Sequence, residues 1–193
     1  MKKLIIPIFS LLASLSAISC NDISSSEANS DHASMNHDDH AEGHDLLENS
    51  ATTAQMVDYY LSIKNALVAG DEKAAASAGN ELAHAATDFD LSTLPEAEQQ
   101  KGKEILAVIK ENGEHIADSE IDHQIEHFES MDTEFIDLLR IAGYEKPLYQ
   151  QYCPMYNDNK GGTWLSDSEE ISNPLFKSKM LTCGSVKQTI ASK

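Results

Sequence analysis

Six apolar residues in the segment MVDYYLSIKNALVAGD, namely Met56, Tyr59, Tyr60, Ile63, Leu67 and Val68, recur at i, i+3, i+4, i+7, i+11 and i+12. This is the spacing of one face of an α-helix. A helix with a single apolar face is stable only when that face is covered by a neighbour. Gly70 closes the segment, and a second helix is expected over Glu72 to Thr87, where an alanine-rich run with Leu82 permits close approach of helix axes. After LSTLPEAEQ, with Pro95 suited to a first turn, a third helix is expected to run to about Asn112, with Gly113 interrupting the pattern. Ile116, Ile121, Ile125, Phe128, Met131, Phe135, Leu138 and Leu139 mark a fourth stripe that ends at Gly143. Four amphipathic helices joined by short connections predict an all-α fold, an antiparallel four-helix bundle.

What precedes the bundle reads differently. Residues 1–19 combine Lys2 and Lys3 with an apolar run from Leu4 to Leu15 and then small residues, the pattern of a secretory signal peptide. The run is too short for a permanent membrane span. Ala17, Ile18, Ser19 and Cys20 resemble the bacterial lipobox, which implies acylation of Cys20, palmitate included, and a mature protein held to a membrane by that anchor alone. Residues 20–51 hold Ser, Asn, Asp, Glu and His with almost nothing to bury, so they are expected to form a disordered tether. The helical domain is expected over residues 52–191. The formal charge of -18 repels phosphate backbones and attracts cations, which sets nucleic acid aside as a partner.

Four of the 8 histidines, His32, His37, His40 and His44, cluster in the tether with Met35 and several carboxylates. Imidazole suits copper and zinc, and thioether suits Cu(I), so the tract reads as weak, fluxional metal capture rather than a plain solubilising spacer. A second pair, His123 and His127, forms HQIEH, which matches the inverted zinc-protease signature and puts two imidazoles one helical turn apart. Too little chain follows for the body of a protease. The pair therefore reads as ordinary residues at the edge of the apolar stripe or as an accessory metal site, and His84 and His115 read as structural.

Near the end, the stretch YCPMYNDNKGGTWLSDSEEISNPLFKSKMLTCG turns from helical to irregular, with Gly161, Gly162 and Pro174 as punctuation. Tyr152, Trp164, Leu165, Ile171, Leu175, Phe176 and Leu181 supply spaced apolar anchors, so a compact lobe packed on the bundle is expected. Cys153 and Cys183 admit two readings. In an oxidising compartment they pair as a disulfide. Alternatively Cys153, Met155, Met180 and Cys183 place four sulfurs together, the ligand set that selects Cu(I), with silver and zinc behind it.

The block CPM, then ND, GG and TWLS, then NP, then MLTCG resembles the signature of a bacterial domain of unknown function, family 3347. YYLSIKNALVAGD and EHFESM add to the resemblance. Members occur as standalone lipoproteins and fused to CusB-type heavy-metal efflux adaptor subunits. The resemblance implies a helical domain with a Cys/Met lobe working near copper export, and it carries the metal-site roles onto Cys153, Met155, Met180 and Cys183. The expected function is that of a cell-envelope lipoprotein, on the outer membrane facing the periplasm or on the cell surface, that binds Cu(I) and holds it or passes it to an efflux adaptor or pump. The alternative is a disulfide-stapled module that docks on an envelope partner without a metal role. No nucleophile setting points to an enzyme.

Overall fold

Thr52 starts the first helix with a reciprocal capping box. Its hydroxyl accepts from the Gln55 amide at 3.2 Å, and the Gln55 side chain accepts from the Thr52 amide at 2.9 Å. The structure, a computed structural model of the chain, describes residues 51–177 and 179–190. Helix α1 spans Thr53–Ala69 and α2 Glu72–Thr87, the latter capped by the Asp71 carboxylate. Two short 3-10 turns, Leu91–Thr93 and Glu96–Glu98, flank the buried Leu94 and lead into α3, Gln99–Asp118. Helices α4, Ile121–Ser130, and α5, Asp132–Ala142, follow.

Helix α2 packs along both α1 and α3, and α3 in turn meets α4 and α5. Met56, Tyr60, Ile63 and Leu67 from α1 meet Leu82, Ile109, Ile116, Phe128, Phe135 and Leu138 in one core. At its centre the Tyr60 ring lies 4.8 Å from Phe128 and 4.5 Å from Phe135. Among the described residues no helix is long and apolar enough to cross a membrane.

Two helical expectations are corrected. Helix α3 continues through Gly113 to Asp118. Gly113 is a contact point: a Cβ there would stand 2.8 Å from the Gly79 carbonyl of α2, so the two glycines let the helices cross closely. The fourth stripe is two helices, broken at Met131, whose φ of -85 and ψ of -5 lie between the helical and bridge regions. Met131 is buried there, and the break lets Asp132 begin α5 with its carboxylate directed toward the C-terminal lobe.

The fold is also not all-α. The chain is mostly helical, but the C-terminal lobe carries a three-stranded antiparallel sheet of order β2-β1-β3. Its strands are β1, Leu148–Cys153, β2, Gly162–Ser166, and β3, Ser185–Ile190. None of the three shows the alternation that marks a strand in sequence, for separate physical reasons. A bulge between Gln150 and Gln151 shifts the phase of β1, so Leu148, Gln151 and Cys153 are its buried positions. In β2, Trp164, Leu165 and Ser166 are buried in succession, whereas β3 lies almost wholly exposed on the sheet edge.

Candidate functional site

The lobe is built outward from β1 and β2, whose antiparallel register sets Cys153 opposite Gly162. The connection between them is a tight turn in which Asn157, Asp158 and Asn159 all have positive φ, at 48, 54 and 66°. Asn and Asp tolerate that region better than other side chains do. Gly161 completes the reversal at φ 88, where a Cβ would collide with the Tyr152 hydroxyl and ring. The turn leaves Met155 at the surface, 51% exposed.

Two fully buried amides organise the rest. The Gln151 side-chain nitrogen donates to the Ser168 and Glu170 carbonyls at 2.8 and 3.1 Å, and its oxygen accepts from the Trp164 indole at 2.8 Å. Asn173 donates to the Cys183 carbonyl at 2.8 Å and accepts from the Leu175 amide at 2.8 Å, while its own amide donates to the Leu181 carbonyl. Irregular backbone is thus satisfied from within. Cys153, fully buried, and Cys183, half-buried, form a disulfide with Cα atoms 5.7 Å apart. The Cys183 amide donates back to the Met180 carbonyl at 2.9 Å, closing one turn. Met180 is held there at φ 49 with its side chain 43% exposed. A left-handed conformation is costly for an unbranched apolar residue and is imposed by surroundings.

Polar contacts fix the lobe to the helices. The Tyr60 hydroxyl donates to Asp132 at 3.0 Å and accepts from the Leu165 amide of β2 at 3.0 Å. Thr163 donates to the second Asp132 oxygen at 2.6 Å, joined by Gln150 at 3.4 Å. Burial pushes the Asp132 carboxyl above its ordinary value, against the pull of those three donors, and burial together with Asp132 raises Tyr60 strongly. Lys64, also buried in α1, reaches Ser166 and Asp167 of the lobe, and desolvation lowers its pKa. Lys177 pairs with Asp122 of α4.

A second cluster lies where α3 ends and α4 begins. The His115 ring stacks on His127 at 4.4 Å with planes 5° apart, and His123 meets His127 edge-on at 5.1 Å. Buried Gln124 sets α4 in place by donating to the Glu72 and Ile116 carbonyls at 3.1 and 2.9 Å. Burial, followed by the neighbouring His115 and His123, lowers the His127 pKa, so this ring favours its neutral form. As the rings stand, no three His, Cys, Asp or Glu side chains among the described residues already close on one point.

The sequence therefore anticipates the meeting of Cys153 and Cys183, with Met155 and Met180 beside them along the chain, and it anticipates His123 next to His127. It sets His115 aside, because nothing in the seven residues between His115 and His123 announces that the chain folds back there. Cys20, His32, Met35, His37, His40 and His44, with the leader and the tether up to residue 50, lie outside the described residues.

No curated protein and no solved structure matches the chain. A family model described as "Protein of unknown function (DUF3347)" matches residues 56–146. That match begins within α1, runs through α2 to α5 and stops before the CPM and MLTCG segments of the lobe. Over those residues the chain is similar to the DUF3347 domain family.

Proposed function

We propose that the protein is a cell-envelope lipoprotein that binds a soft metal ion, Cu(I) before silver or zinc, at Cys153, Met155, Met180 and Cys183. Its role is to hold the ion or pass it to an efflux adaptor or pump, and not to catalyse a reaction. One observation carries this reading. Met155, Met180 and Val186 are the three large apolar side chains left exposed among the described residues, all within three positions of a paired cysteine, and two of the three carry a thioether sulfur. Thioether is the protein ligand most selective for Cu(I). Acylated Cys20 would anchor the chain, the His/Met tract of the tether would collect metal, and an antiparallel helical bundle would carry the lobe. Since only thiolate sulfur ligates strongly, the disulfide makes the site redox-gated.

The test is thiol titration of the full chain carrying Cys20→Ser, before and after mild reduction, with Cu(I) competition against a chromophoric chelator on each form. The reduced chain should hold one Cu(I) tightly. Replacing Met155 and Met180 by alanine should weaken it about tenfold or more per residue, roughly 1.4 kcal/mol each. Unchanged affinity in the double variant would overturn the site. The formed disulfide favours one other reading, a stapled lobe that docks on an envelope partner, under which mild reduction creates no copper binding.

A further inference from the structure

The surface where α3 meets α4 carries three imidazoles, and in two of them, His123 and His127, the ring nitrogens are already differentiated. The Asn112 side-chain nitrogen donates to the Val108 carbonyl at 2.9 Å, so its oxygen, 3.0 Å from Nδ1 of His127, must be the acceptor. His127 therefore carries its proton on Nδ1 and keeps the lone pair on Nε2. Nδ1 of His123 lies 3.2 Å from a Glu126 carboxylate oxygen, which orders that ring in the same sense. An acceptor behind Nδ1, leaving Nε2 free, is how proteins orient metal-ligating histidines.

We propose that His115, His123 and His127 form a site for one divalent cation of the Cu2+ or Zn2+ class. The ion takes Nε2 of His123 and His127 and one ring nitrogen of His115. Neutral imidazole suits these ions, whereas Ca2+ and Mg2+ require oxygen ligands. His127 is half-buried and held by Asn112, and His115 and His123 are exposed. Closure on an ion turns the His115 ring out of its stack, a movement its exposure permits. This site shares no residue with the sulfur lobe and needs no reduction of the disulfide, so its success or failure is independent of the Cu(I) reading.

The experiment uses the full chain with the disulfide oxidised, Cys20→Ser, and His32, His37, His40 and His44 replaced by asparagine. Zn2+ alone and then Cu2+ alone are titrated by calorimetry, with the imidazole 15N signals followed during the Zn2+ series. The expected result is one ion per chain, with the Nε2 signals of His123 and His127 shifting. His115→Asn and His123→Asn, both at exposed positions, should each weaken binding about tenfold or more, and His127→Ala should abolish saturation. Asn112→Ala should weaken binding about 10–100-fold at unchanged stoichiometry, the effect of losing an orienting partner. The proposal is overturned if the parent chain takes up neither ion, or if the variant lacking all three histidines keeps the parent's affinity.

Discussion

Tyr60 joins the two halves of the molecule through a single oxygen. Its ring belongs to the helical core, while its hydroxyl donates to Asp132 and accepts from the Leu165 amide. Tyr60→Phe keeps the ring but leaves a buried backbone N–H without its acceptor and the Asp132 carboxylate short of one donor. Leaving a buried group unsatisfied costs about 1–3 kcal/mol. Urea unfolding should show that loss, and the Leu165 amide should exchange faster with solvent. Equal stability and unchanged exchange would mean that the lobe is held by other contacts. The helical stripe announces Tyr60 as a core residue, but not what its hydroxyl does, because the partners lie 72 and 105 residues away. Met155 and Met180 were legible as sulfur beside sulfur. Their exposure was not, since apolar side chains are ordinarily read as buried.

Helix crossings depend on single small residues here. Gly113 of α3 faces Gly79 of α2, and a methyl group added at Gly113 would meet the Gly79 carbonyl at 2.8 Å and the Ala83 amide at 3.1 Å. Both neighbours are backbone, so neither moves aside without separating the helices. Gly113→Ala gains about 1 kcal/mol of helix propensity, against about 1–3 kcal/mol for overpacking a tight contact. The net expectation is a destabilised protein with a lowered thermal midpoint, and a raised midpoint would show that the crossing is looser than the structure has it. The sequence suggested an interruption at Gly113 because glycine most often punctuates a helix, and only a neighbouring helix distinguishes that from a packing contact. Helix α1 and the α4–α5 segment were legible as stripes of helical period, apart from the break at Met131, which leaves the apolar spacing intact, and α2 and α3 were legible from an alanine-rich run and from Pro95 and Gly113 as punctuation. The sheet was not legible, because a bulge, a run of consecutive buried residues and an exposed edge each erase the two-residue alternation.

Across the whole molecule, one covalent bond closes the lobe. The disulfide links residues separated by 30 in sequence, and constraining an unfolded loop of that size contributes about 3–4 kcal/mol. Reduction should lower the stability measured by denaturant unfolding by about that amount, and a reduced chain as stable as the oxidised one would show that the lobe's hydrogen bonds suffice without the staple. Gln151 and Asn173 are the residues that such a result would credit. The amino-acid order established the helical stripes, the nearness of Cys153 and Cys183 as either a disulfide or a sulfur site, and the expectation of a polar, His-rich approach to the domain, since each of these is written in local spacing and composition. The sheet, the attachment of the lobe through Asp132 and the arrival of His115 on His127 came from folding. They depend on which distant segments share the core, and burial of that kind leaves no repeat in the chain from which it can be read.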